Sequence, residues 1–325
     1  MSSSQGLTIK GMWTKSFVLM VVITIILAII SLATGAYDIT GQSDGWEMFF
    51  ITRVPRTLAL MLSSAAMAIS GMIMQLLTQN RFVEPTTTGT IEWAGLGLLL
   101  IYIIIPAPSL VQRMSGAIVF SFVGTMLFFL LLRKVKLKSS LIVPIIGIMM
   151  GAVVSAFSTF LGLVFNKTQS IEIWFQGSFA SIQRGRYEYL WVIVLVTIII
   201  YIFADRLTLA SLGEDIATNL GLNYNRIILI GTALVSLSVG VVAAVIGNLP
   251  FLGLIVPNIV SMIRGDNLKE NLPWVALVGM ATIMACDILA RTIIAPFEVP
   301  VSLILGTLGS VVFISILLYQ RRKHT

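Results

Sequence analysis

The sequence predicts an all-α protein that crosses a membrane about ten times, and three observations carry that prediction. Of its 325 residues 57% are hydrophobic and 11% charged, with a mean hydropathy of +0.99. A water-soluble domain carries about 25% charged residues. Apolar runs recur from end to end, several reaching the roughly 20 residues a helix needs to span a bilayer. The alternating segments of about ten residues that mark a β-barrel are not visible.

The runs fall at 16–36, 54–77, 92–107, 115–132, 141–165, 188–204, 226–248, 251–263, 274–290 and 299–319. Lys10 and Lys15 before the first run fit a signal peptide or an uncleaved span. The lack of a small-x-small cleavage site favours the span. The second run opens on Arg53-Val-Pro-Arg56. These arginines either snorkel at a helix start or offer planar, permanently charged forks to carboxylates of an external partner. Further along, Gly71 and Gln75 share one helix face. A glycine there permits close packing, and an amide at depth wants a partner or a wet cavity. Asn80, Glu84 and Pro85 pass through the following loop, and Glu92 stands where a helix N-terminus tolerates an anion. In the fifth run Met149, Met150 and Ser155 suit either an adaptable pathway wall or a filled core.

Residues 206–223 form the most polar interior segment. Leu209, Leu212, Ile216 and Leu220 have the spacing of one face of a short helix, with Gly221 at its C-terminal end. Glu214 and Asp215, with no basic residue between Arg206 and Arg226, favour a protein partner over anionic lipid.

The stretch "GNLPFLGLIVPNIV" is apolar yet carries Gly247, Pro250, Gly253 and Pro257. Proline inside a helix costs about 3 kcal/mol. Broken backbone at membrane depth survives only against protein or a water-filled cavity. A break before Phe251 and a kink near Pro257 are expected, with Asn258 beside them. In the ninth run Asp287 and Arg291 form an i, i+4 pair. Pro296, Glu298 and Pro300 then turn the chain into the last run.

With ten spans and a cytoplasmic N-terminus, 14 basic residues fall inside and 7 outside, as the positive-inside rule expects. The charge of +7 thus reflects topology and implies no nucleic-acid partner. Residues 1–325 read as a single transmembrane domain with both termini cytoplasmic. Cys286 is the lone cysteine and His324 the lone histidine, which excludes an intramolecular disulfide and a Cys metal cluster and leaves a Ser-His-Asp triad without a usable imidazole. A Walker-type phosphate loop is absent. No catalytic residue, cofactor or metal site is expected, and the chain is read as no enzyme.

Taken together, these stretches resemble the iron-siderophore and cobalamin (FecCD-type) permease family of bacterial ABC importers over residues 50 to 320. Members carry R-[LI]-P-R, G-x-x-x-Q and N-P-L-A-[DE]-P, matched by Arg53 to Arg56, Gly71 to Gln75 and "NRFVEP". L-G-[ED]-x-x-A-x-x-L-G is matched from Leu212 to Gly221, including Gly213, Glu214, Ala217 and Leu220. The opening of G-x-[IL]-x-F-[VI]-G-L-[IV]-[IV]-P-H is matched at Gly247, and A-D-x-x-A-R followed by [EP]-[IL]-P-[IV] by "CDILAR" and "EVPV". Arg81, Asn258, Ser261 and the segment "TTTGTIEWAG" depart from the pattern.

The resemblance implies a type II ABC importer permease in the bacterial cytoplasmic membrane. It implies a second permease subunit, identical or homologous, two cytoplasmic ATPases, and an extracytoplasmic binding protein that delivers a ferric siderophore. "GDNLKENLPW" and "PFEVP" resemble the catecholate-siderophore branch. By position, Arg53, Arg56 and Arg291 correspond to residues that meet acids on the binding protein, and Leu212–Gly221 to the element seated in the ATPase. A path walled by Gln75, Asn80, Met149, Ser155 and Asn258 is expected to open alternately to either side. Cobalamin or haem import is the alternative within the family. An ion-coupled secondary transporter would need mid-membrane ionisable residues, which the sequence scarcely supplies.

Overall fold

The computed structural model describes residues 15–35, 37, 41, 43–135 and 142–324. Lys10, Lys136 and Lys138, which enter the charge count above, lie outside them, as do the side chains of Arg321, Arg322 and Lys323. The described residues form helices and no strand. They are α1 (Lys15–Ala33), α2 (Gly45–Thr78), α3 (Thr90–Ile104), α4 (Leu110–Lys134), α5 (Ile142–Val164), α6 (Thr168–Phe175), α7 (Tyr187–Ala210), α8 (Glu214–Asn219), α9 (Tyr224–Val245), α10 (Leu252–Arg264), α11 (Leu268–Thr292) and α12 (Val301–His324). Seven are long and apolar enough to cross a membrane: α1, α2, α4, α5, α7, α9 and α11. Three more, α3, α10 and the described apolar part of α12, are apolar but shorter.

Local chemistry sets several of the boundaries. Ser109 and Gln112 form a capping box at the start of α4, which supplies acceptors to amides that have no partner in a first helical turn. The Asn223 and Asn267 side chains accept from the first amides of α9 and α11 in the same way. Near the start of α2, one π-helical turn at Phe49–Arg53 holds an extra residue just ahead of Pro55.

Helices α2 and α9 form the centre. About 83% and 78% of their most apolar stretches are buried, against 17% for α1 at the periphery. Around them α3 packs on α4, α4 on α9, and α11 and α10 on α2. Small residues allow these approaches, since hydrocarbon provides no hydrophobic drive between helices. A Cβ on Gly97 of α3 would come within 2.2 Å of the Gly116 carbonyl oxygen on α4.

The tightest crossing is that of α2 and α10. A Cβ on Gly71 would fall 1.9 Å from the Gly253 carbonyl oxygen, so glycine alone fits there. The chain leaves helix after Val245 and re-enters it at Leu252, with Phe251 in left-handed conformation at φ 63°. Pro257 lies inside α10 and has no N–H to give the Gly253 carbonyl four residues back. Gln75, one turn beyond Gly71, fills the gap: its Nε2 lies 3.3 Å from both the Gly253 and Leu254 oxygens. Glycine brings the two backbones together, and the amide replaces the bond that proline removes.

Gly71→Ala is therefore expected to destabilise by about 1–3 kcal/mol or more through overpacking. It should also lower the thermal unfolding midpoint in detergent well below that of Ala→Gly changes on the exposed side of α5. An unchanged midpoint would contradict the contact.

Candidate functional site

One end of the bundle gathers the arginines of the second and ninth apolar runs. Arg53 donates from Nη1 to the Leu32 and Ala33 carbonyls at 3.1 and 2.9 Å, and from Nη2 to that of Tyr37 at 2.6 Å. Arg291 donates from Nη1 to the Ser31 and Thr34 carbonyls and from Nη2 to Ser31 Oγ. Both thus serve the last carbonyls of α1, where a helix end is partially negative. Arg291 Nη2 also lies 2.7 Å from Asp287 Oδ2, one turn earlier on α11.

Arg56 completes the network. Its Nη2 reaches Asp287 Oδ1 at 2.7 Å, and its Nη1 grips both Glu298 oxygens at 2.9 and 2.8 Å. Asp287 is fully buried and Arg291 nearly so, whereas the Glu298 side chain remains 34% exposed. Three arginines face two carboxylates and leave the cluster with one excess positive charge. It borders a cleft of ≈ 190 Å³ lined also by Thr52, Gln183 and Tyr37.

The polar residues near the broken helix are already bonded. Gln75, Asn80 and Asn258 are buried, at 7%, 4% and 3% exposure. Asn258 Nδ2 donates to the Arg81 and Leu254 carbonyls, each at 2.7 Å, and Asn80 Oδ1 accepts from the Phe82 amide. Glu84 reaches across from the 79–89 loop, and its Oε1 accepts from the Phe251 amide at 3.1 Å ahead of α10. A carboxylate there is favoured by the positive helix end. Glu92 occupies the first turn of α3, with its Oε2 beside Gly151 of α5. In the unusual "TTTGT" segment a relay of hydroxyls runs from Thr88 through Thr90 to Thr125.

Met149 is 65% exposed on α5, and Ser155 is half-buried on the same helix. This helix turns Gly147, Gly151, Val154 and Ser158 inward, leaving Ile148, Val153 and Phe157 uncovered.

At the opposite end of α2, α8 spans Glu214–Asn219 and packs beside Gln79 through Gly213. Gly221, at φ 83°, closes it: the Gly221 amide donates to the Thr218 carbonyl and the Leu222 amide to that of Ala217. This double bond pattern needs a left-handed residue, which glycine adopts without a Cβ penalty. Ala217 is buried, while Leu209, Leu212, Ile216 and Leu220 stand exposed in a row beside Glu214 and Asp215.

Sequence reasoning paired Asp287 with Arg291 but missed Arg56 as a second partner, because that contact spans 231 residues. It placed Glu298 in a turn without a partner and Glu84 in a plain loop. The signals were the carboxylates themselves, since an acid in so apolar a chain needs a counter-charge or an amide. Arg113 and Arg186 received no role.

An apolar helical bundle with a broken internal helix, a charged cluster at one end and an exposed short amphipathic helix at the other is that of a multi-pass membrane protein. The chain belongs to the FecCD transport family, which it matches over residues 13–319. It is 72% identical over 312 residues to the petrobactin import system permease protein FatD of Bacillus anthracis, covering 96% of this chain and 93% of that one. It is 40% identical over 308 residues to the petrobactin import system permease protein YclN of Bacillus subtilis, covering 93% and 97%. A solved metal-chelate type ABC transporter in an inward-facing conformation superposes with TM-score 0.81 at 28% identity, covering 94% of this chain and 99% of that one.

Removing the buried acid should expose how far the cluster depends on it. Asp287→Ala leaves two buried arginines short of counter-charge, an expected loss of about 3–5 kcal/mol. Chemical denaturation in detergent should show it, and a loss below that of Glu298→Ala would contradict the ranking.

Proposed function

We propose that this chain is the membrane-crossing subunit of an ATP-driven importer that carries a ferric siderophore into the cytoplasm. Near-complete alignment at 72% identity with a petrobactin import permease carries the reading. Haem or cobalamin cargo remains the alternative within the family; the two petrobactin permeases favour a siderophore.

In this reading residues 1–325 act as one transmembrane domain in the bacterial cell membrane. The seven long and three shorter apolar helices make ten spans, with both termini cytoplasmic. A second permease subunit, identical or homologous, completes the path. The exposed face of α5 with Met149 and Ser155 fronts that path, Gln75 and Asn258 hold the broken α10 along it, and Asn80 borders it from the adjoining loop. The excess positive charge at Arg53, Arg56 and Arg291 meets an acidic side chain of an extracytoplasmic binding protein. Since Arg56 and Arg291 already hold Asp287 and Glu298, a docked carboxylate would work by sharing or displacing those contacts.

The cytoplasmic end couples to two ATPases. Leu212, Ile216 and Leu220 supply an apolar row for an ATPase groove, and Glu214 and Asp215 a charge for its rim. Closure of the ATPases on ATP would push α8, which leans on the end of α2 at Gln79, and so move the helix that grips α10.

Glu214→Arg tests the coupling. Reversing an interface charge costs several kcal/mol, so ferric-petrobactin uptake and co-purification of the ATPase should fall about tenfold or more at unchanged permease level. Unimpaired uptake with normal ATPase association would remove α8 from the mechanism.

A further inference from the structure

A second pair of arginines lies apart from the Asp287 network. Arg113 in the first turn of α4 and Arg186 just before α7 line a cleft of ≈ 240 Å³, with Tyr102, Trp174, Ser178 and Ser181 among its walls. Arg113 donates from Nη1 to Tyr102 Oη at 2.7 Å, its guanidinium 5.6 Å from the ring centroid. Arg186 donates from Nη1 to Ser181 Oγ at 3.1 Å. Among the described residues neither pairs with a carboxylate, and the Nε of each is buried without an acceptor.

The contrast with the first cluster is physical. There, buried Asp287 and partly exposed Glu298 pair with Arg56 and Arg291; here two guanidinium groups share one cleft with neutral partners only. Burial, and then the charge of Arg113, pull the Arg186 pKa below its ordinary value. Two half-desolvated like charges are unfavourable until an anion arrives, and a planar fork accepts a carboxylate in two-pronged fashion. The volume corresponds to roughly eight waters at ~30 Å³ each, more than one acidic side chain fills. Residues 178–186 separate the two clefts: Ala180, Ile182 and Gln183 line that of Arg53, while Ser178, Ser181 and Arg186 line this one. An anion released from a receptor docked at the first cleft, as proposed above, would arrive beside the second.

We propose that the Arg113–Arg186 cleft is a carboxylate-binding site that receives a carboxylate of the chelate cargo at the extracytoplasmic end. The cargo and the sidedness rest on the reading of the chain as a chelate permease; the carboxylate site rests on the geometry of the cleft.

Citrate serves as probe, titrated onto the purified full-length chain in lipid nanodiscs and followed by calorimetry. Wild type should bind saturably. Arg113→Gln with Arg186→Gln should weaken binding about tenfold or more, the loss of charge-assisted hydrogen bonds. Arg113→Lys with Arg186→Lys, which keeps the charges but not the forks, should fall between. Arg184→Gln, which removes one charge from an exposed neighbour, should bind as wild type. In cells, the Gln pair should raise the KM for ferric citrate or another carboxylate chelate and spare a ferric hydroxamate lacking carboxylates. Citrate binding absent from wild type, or equal in every variant, overturns the proposal. So does normal citrate binding by the Gln pair accompanied by lost receptor affinity, which would assign the arginines to docking. Wild type that binds citrate yet supports no chelate uptake would refute the permease reading and leave the site standing.

Discussion

A helix interrupted away from water leaves amides and carbonyls that only protein can satisfy, each at a cost of several kcal/mol when orphaned. The 246–258 segment meets that demand mainly from α2 and the 79–89 loop that follows it. Gly71 lets α2 approach until the backbones touch, Gln75 replaces the hydrogen bond lost at Pro257, and Glu84 accepts the amide of Phe251. These residues act as a unit: without Gly71 the amide of Gln75 would be held too far from α10. Because both ends of α2 also carry the arginine cluster and the seat of α8, one helix links three sites that are far apart in sequence.

The charged cluster obeys the same economy at the bundle's end. Arginine forks bind two carbonyl groups or a whole carboxylate at once, so three of them stitch α1, α2 and α11 together with only two acids. The desolvation of Asp287 is offset by Arg56 and Arg291 together, either alone being a weaker counterweight. Glu298, partly exposed, is the softer partner.

Much of the fold was legible because apolar composition and run length respond directly to the bilayer. Each of the ten runs falls on a helix, and the end of α8 was legible at Gly221. The spaced row is not one helix face, since Leu209 belongs to the end of α7, Leu212 and Leu220 to the flanking turns, and only Ile216 to α8. The break ahead of Phe251 was legible from glycine and proline. The partners were not. Nothing local in the sequence says that Gln75 meets Gly253 or that Arg56 meets Asp287, since those contacts arise from helix packing over 178 and 231 residues. Polar residues expected along a path proved to be bonded to backbone, because an isolated amide in this setting finds a carbonyl first. The distribution of basic residues suggested which end is cytoplasmic, and the family resemblance added the expectation of an ATPase at that end and a receptor at the other.

In the proposed reading the chain is a gate without its own energy source, moved through α8 and α2 by attached ATPases. The described residues hold no cluster of acids and histidines suited to bind an ion, and the buried carboxylates Glu84 and Asp287 are tied to amides or arginines. Reconstitution in sealed vesicles, with the receptor and a ferric chelate outside, tests this directly. Chelate should accumulate against its gradient only when the ATPases and ATP are present on the cytoplasmic face. Uphill accumulation by the permease alone, driven by a proton or sodium gradient, would contradict the account.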